Sequence, residues 1–165
     1  MASTNRTNEA HSHDEDHKHK DSVIDFAGKF HPVVVHFPVA LLITAGLAEF
    51  LRMLTRKETF GAVTRFLLIL GAASAVVAVI LGLAAEQGSN YPAALSAYLS
   101  WHRIFGFGTG ALSVICLILG EIHIRKQAKR TKWAYRAVLL ASMLFVGVTG
   151  HLGATLVYGP NHFSM

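Results

Sequence analysis

Four uninterrupted apolar stretches dominate this chain: Val33 to Leu51, Phe66 to Ala85, Ile104 to Ile124 and Ala137 to Tyr158. Each is about 20 residues long, the length an α-helix needs to cross roughly 30 Å of hydrocarbon. Lipid offers no hydrogen bonds to a bare backbone, so only helices or closed barrels can span it, and these runs lack the alternation of a barrel strand. The sequence therefore predicts an all-α integral membrane four-helix bundle over residues 29–165, preceded by a polar, disordered tail over residues 1–28. With 52% hydrophobic and 15% charged residues, the chain is neither a disordered polymer nor a collagen-like one. The tail carries no basic n-region or cleavage site, so no signal-peptide processing is expected.

Orientation follows from the basic residues. The loop after span one holds Arg52, Arg56, Lys57 and Arg65, and the loop after span three holds Arg125, Lys126, Lys129, Arg130, Lys132 and Arg136, whereas Arg103 is alone between spans two and three. The positive-inside rule places both termini and the central loop outside, across a bacterial inner membrane from the cytoplasm. Net positive charge here marks topology and contact with anionic lipid, not nucleic acid. Trp101, Tyr98, Trp133, Tyr135 and Tyr158 sit where interfacial aromatic belts belong. In the central loop, Ala93 to Leu99 is expected to form a short interfacial helix. No internal repeat stands out, beyond the histidines beside aromatic residues that open spans one and three.

The chain has ten histidines and a single cysteine, Cys116, which excludes disulfides, CxxC zinc knuckles and covalent haem attachment. An ionisable group within a span is costly unless it is paired, so intramembrane histidines are functional candidates. His31, His36, His102 and His151 all fall in the outer half of the bundle, His36 and His151 roughly 5–10 Å below the interface. Small residues share their helix faces: Gly106 and Gly110 follow His102, Gly147 precedes His151, and Ala40 and Gly46 follow His36. Such spacing either lets two helices pack closely or leaves room for a flat macrocycle beside an axial histidine.

Pro38 removes a helical hydrogen bond near residue 34, and the freed carbonyl can fix the tautomer of a histidine ring. His31 and His36 lie about 140° apart on a regular helix. The sequence thus favours His36 with His102 as haem ligands, with His151 as alternative ligand or hydrogen-bond donor to one. His31 is left as a helix-entry residue or a ligand to a second centre. His123, beside Glu121 and at the depth of Glu49, reads as interfacial packing; His162 is a tail residue or outer ligand. His11, His13, His17 and His19 form a tail tract suited to Cu or Zn.

HPVVVHFPVALL at 31–42, WHRIFGFG at 101–108 and GHLGATLVYG at 150–159 together resemble the bacterial four-span membrane family called domain of unknown function 2231. The resemblance covers roughly residues 28 to 165, and HPxxVHFP is its most specific motif. It departs from the family at Gly153-Ala154, where Gly-Gly is usual. The family's histidines map onto His31, His36, His102 and His151, and its related modules in larger chains look like the membrane part of proteins fused to c-type cytochrome domains, which implies electron transfer.

The leading expectation is accordingly a b-type-cytochrome-like module that binds haem b and exchanges electrons with a quinol or a periplasmic c-type cytochrome, as monomer or oligomer. The alternatives are a Cu- or Zn-binding membrane protein that uses the tail, and a structural membrane subunit whose histidines only bridge helices. No nucleophile elbow, P-loop, HExxH or dinucleotide fingerprint is present, so independent catalysis is not expected.

Overall fold

A computed structural model describes residues 23–24, 26–87 and 92–160. Four long helices carry the fold: α1 (His36–Thr55), α2 (Glu58–Gln87), α3 (Ser96–Lys126) and α4 (Lys129–Tyr158). A single helical turn, His31–Val34, leads into α1. All four helices are long and apolar enough to cross a membrane. No strand occurs among the described residues.

The helices outrun the apolar stretches that announce them, α2 by eight residues at its start. Hydropathy marks the hydrocarbon segment, while the i to i−4 bonds continue through the charged flanks until a residue breaks them. Arg56 and Gln127 do this for α1 and α3, adopting left-handed φ of 57° and 51° and returning their N–H groups to Arg52 O and His123 O. Ala93–Leu95 forms a 3-10 turn that runs directly into α3, so the interfacial helix expected over 93–99 is the start of the third spanning helix. The tail of residues 1–22, including His11, His13, His17 and His19, lies outside the described residues, as does His162.

Two-residue links, Arg56–Lys57 and Gln127–Ala128, join α1 to α2 and α3 to α4. Links this short force antiparallel neighbours, and these two hairpins are the tightest packing in the molecule. They associate through α2 with α3 and α1 with α4, which leaves α1 and α3 diagonal. Large apolar side chains point outward, among them Phe50, Phe66, Ile80, Ile118 and Leu144, as lipid contact demands. The interior is made of small and medium residues instead: Leu42, Ala45, Leu68, Cys116, Leu139 and Val146. Buried hydroxyls are satisfied within their own helices, Ser113 on Gly110 O and Ser142 on Val138 O, both at 2.8 Å. Small interior residues allow the close helix approach on which membrane packing depends.

The two hairpins are copies of one another. Adding 71 to a residue number in the first gives its counterpart in the second: Arg56 becomes Gln127, Glu58 becomes Lys129 and Gln87 becomes Tyr158, so the left-handed caps and both limits of α2 and α4 coincide. Each copy runs in the same direction, which makes the bundle a tandem repeat about an axis along the helices.

At the basic end the repeat extends to the arginines of two ion pairs but not to their glutamates, since Glu49 corresponds to Gly120 and Glu121 to Phe50. Arg65 on α2 forks onto Glu121 of α3 at 2.5 and 3.0 Å. Its counterpart Arg136 on α4 donates to Glu49 of α1 at 2.7 Å. Both inter-hairpin seams are thus closed by an arginine. The second is the more secluded, because Glu49 is only 4% exposed and also faces Arg52 and the Tyr135 hydroxyl. His123 is buried beside this cluster with its ring stacked on Tyr135.

Removing one member of a secluded pair leaves the other charge uncompensated, at a cost of about 3 kcal/mol, against at most about 1 kcal/mol for a solvated pair. Glu49→Gln is therefore expected to destabilise the bundle far more than Glu121→Gln, measured as the shift of the unfolding midpoint in a detergent titration of mixed micelles.

Candidate functional site

The opposite end of the bundle holds the histidines. Pro32 and Pro38 both lie in the segment entering α1, and the helix is interrupted at Val35, between the turn His31–Val34 and His36. The bond from Val39 N to Val35 O is stretched to 3.4 Å. The missing Pro38 N–H deprives the helix of a ladder bond at this point. His36 Nδ1 turns back to Val33 O at 3.3 Å, one residue from the carbonyl that the proline pattern singles out. Val35 itself keeps right-handed helical angles, φ −60° and ψ −22°, so His31 and His36 stay on different faces: His36 is exposed and the His31 ring turns into the bundle.

There His31 meets His102. Their ring centres are 6.1 Å apart with the planes at 85°. His31 Nδ1 donates to Ala78 O of α2 at 2.9 Å, and His102 Nδ1 donates to Thr149 O of α4 at 3.1 Å. Both bonds span 47 residues of sequence, and both pairs are related by the 71-residue repeat. A carbonyl can only accept, so Nδ1 carries the proton in each ring and Nε2 of the neutral imidazole keeps its lone pair. One glycine per hairpin makes the approach possible. A Cβ on Gly82 would stand 2.9 Å from His31 Cε1, and one on Gly153 would stand 3.2 Å from His102 Cε1. The surroundings of His102 are braced further by the Thr109 and Thr149 hydroxyls, 3.2 Å apart, and by Phe105 against Phe145.

The remaining candidates lie elsewhere. His36 and His151 are exposed on α1 and α4, away from the central pair. The pair favoured by sequence, His36 with His102, is thus not the pair that the bundle brings together; His31 takes that place. Of the glycines that follow His102, Gly110 packs toward Val79, where a Cβ would lie at 3.3 Å, so it serves helix contact. The residues that sequence reasoning passed over are Ala78, Thr149 and Gly82, and the shared offset of His31/His102 and Gly82/Gly153 is the signal that marks them.

The arrangement brings together two imidazoles, one from each hairpin, whose rings meet edge to face and whose Nε2 atoms each keep a lone pair. Among the described residues there is no group of three or more His, Cys, Asp or Glu side chains, so a closed structural zinc site of the usual four ligands is not built there.

No curated protein and no solved structure matches this chain. A family profile does, over residues 28–161, a stretch that contains all four helices and every residue of the paired-histidine site. The chain therefore belongs to the family described as Predicted membrane protein (DUF2231).

Proposed function

We propose that the protein is a membrane-embedded electron-transfer module in which His31 and His102 hold haem b from its two faces. The observation that carries this reading is the pair itself: two imidazoles from separate hairpins with ring centres 6.1 Å apart, each with Nδ1–H anchored on a helix carbonyl. That outer hydrogen bond fixes the tautomer and raises the basicity of Nε2, as with other metal-binding histidines. On the chemistry of the donor set the residues fit the group, because haem iron needs two opposed donors and a bundle interior can supply them from separate helices. Bound there, haem would supply a one-electron couple, which suits electron exchange.

The chain's own residues do the positioning. Gly82 and Gly153 admit the imidazoles, and Ala78 O and Thr149 O orient them. The positive-inside rule, applied to Arg52, Arg56, Lys57 and the basic run from Arg125 to Arg136, supports an outer-side position for this end of the bundle in a bacterial inner membrane. A quinol in the bilayer or a periplasmic c-type cytochrome is then within reach as redox partner.

Protein purified from haem-replete cells is expected to show a Soret band and a reduced-minus-oxidised difference typical of two histidine ligands. His31→Ala and His102→Ala should each abolish it, while His36→Ala keeps most of it. Absence of any Soret band overturns the reading. A stoichiometric copper or zinc content without that band points to an ion held directly, and unchanged composition with lowered stability points to histidines that only bridge helices.

The glycines give a graded test. Gly82→Ala and Gly153→Ala should both lower haem occupancy at unchanged expression, Gly82→Ala the more, since its added methyl lies closer to the imidazole. Pyridine haemochrome assay per mole of protein measures the order.

A further inference from the structure

The two inter-hairpin seams have diverged at the basic end. Between α4 and α1 the carboxylate stands at Glu49, inside the bundle, and draws the Arg136 guanidinium in with it. Between α2 and α3 the equivalent position is Gly120, and the carboxylate comes one residue later, at Glu121. One residue is about 100° of helical turn, so this pair moves outward: the Arg65 side chain is 53% exposed, against 15% for Arg136. The space that the other seam fills stays open. Gly61 and Gly120 face a small cavity, about 30 Å³, that is also lined by Arg52, Arg65 and Glu121. It has room for one or two water-sized groups.

The same seam is unfilled further along. A second cavity, about 500 Å³, lies between α2 and α3 against Val76, Val79, Ile80, Phe107, Gly110 and Val114. Val76, Ile80, Phe107 and Val114 are exposed, so this groove opens toward lipid. Arg65 and Glu121 stand at the basic end of the stripes that line it. Arg65, Ala72, Val76 and Val79 follow one another at seven, four and three residues along α2, and Phe107, Gly110, Val114 and Glu121 at three, four and seven along α3, so each set keeps to one helix face. From Arg65 to Val76 is about 16 Å along the helix axis, close to the depth of one leaflet. A guanidinium at headgroup level is thus followed by an apolar groove near the middle of the bilayer.

We propose that the α2/α3 seam binds one anionic phospholipid from the leaflet at the basic end, with its phosphate on Arg65 and an acyl chain in the groove between Val76, Val79, Phe107 and Val114. The fork onto Glu121 uses two N–H groups of Arg65, and a guanidinium has five, so three remain for phosphate oxygens. Arg52 lines the same small cavity and adds a second positive charge beside it. Arginine suits the planar recognition of phosphate, and basic pockets between spanning helices are where anionic headgroups bind. A second copy of the chain is the poorer occupant. Residues 49–65 and 121–136 carry ten Lys and Arg against three Glu, and a parallel copy would bring the same excess against it. The α1/α4 seam does not offer the same surface, because its arginine is turned inward onto Glu49 and Met143 seats against Gly46. Phosphate and acyl chain are recognised without the histidine pair, so this assignment does not rest on haem.

The test titrates the full chain in mild detergent with dioleoyl phosphatidylglycerol or dioleoyl phosphatidylcholine, which differ only in headgroup, and counts bound lipid by native mass spectrometry. The wild type is expected to take up one phosphatidylglycerol saturably and about tenfold more tightly than phosphatidylcholine, the worth of one charge-assisted hydrogen bond. The double variant Arg65→Gln with Glu121→Gln keeps the net charge and leaves no carboxylate unpaired; it should lose the headgroup preference. Glu121→Gln alone releases the guanidinium and should bind phosphatidylglycerol at least as tightly as the wild type. Ala111→Phe fills the groove from an exposed position on its wall and should weaken both lipids while keeping the preference, with thermal unfolding as the check that each variant is folded. Equal binding of the two lipids by the wild type overturns the proposal whatever the variants do. So does a double variant that keeps the preference, an Ala111→Phe that leaves both affinities unchanged, or full displacement of the lipid by glycerol 3-phosphate, which carries the phosphate without a chain. A wild-type dimer that excludes lipid and is dispersed by Ala111→Phe overturns it in favour of a second copy.

Discussion

In a bilayer a polar group must find its partner within the protein, and this fold is organised by how its few unavoidable polar groups do so. The four helices satisfy their own backbones. What remains are side chains that cannot be hidden, and apart from a few carboxylates the acceptors they use are the second lone pairs of helix carbonyls. Ser113, Ser142 and Thr109 use carbonyls of their own helices. His31 and His102 instead reach a neighbouring helix, and in doing so each ties together the end of one hairpin that lies away from its link. At the opposite end, Arg65 and Arg136 do the complementary task of joining hairpin to hairpin through Glu121 and Glu49. Histidines therefore close the hairpins, and arginines close the bundle.

Much of this was legible in the sequence, because the bilayer imposes a length and a composition on each span that a single chain displays openly. Four spans, their order and the concentration of histidines at one end all follow from the residues alone. The ends of the helices did not, since Glu58 to Arg65 and Lys129 to Arg136 are polar enough to look like loops while still continuing the backbone ladder. Which histidine at the entry of α1 turns inward was not legible either. The helix puts His31 and His36 on different faces, and the packing of α1 against α2 and α4 puts the face of His31 inside and that of His36 outside. The partner that orients each ring is a main-chain carbonyl on another helix, which no side-chain pattern announces.

The tandem repeat was hidden by its own divergence. Few residues are identical at the 71-residue offset, and most of those are interchangeable apolar ones such as Leu68 and Leu139. The informative identities are His31 with His102, Arg65 with Arg136 and Gly82 with Gly153. Each sits where the chain makes a contact that the bundle cannot make otherwise: an imidazole on a carbonyl, a guanidinium across the seam, and the space that admits the ring. Elsewhere any apolar residue of suitable volume serves, so the lipid-facing and interior positions have drifted freely.

Symmetry also explains why the two pairs of histidines differ in character. Residues near the pseudo-twofold axis meet their own counterparts, so a residue placed there in one hairpin is matched by an equivalent in the other, in an equivalent environment. Two like imidazoles in contact near the axis arise from such a repeat with no further change. Positions away from the axis face different helices in the two seams and are not bound to one another; one seam can keep Phe107 and Ile80 where the other has His36 and His151. The same repeat that yields a symmetric pair at the centre thus leaves the periphery free to specialise, and in this chain the two seams have done so differently.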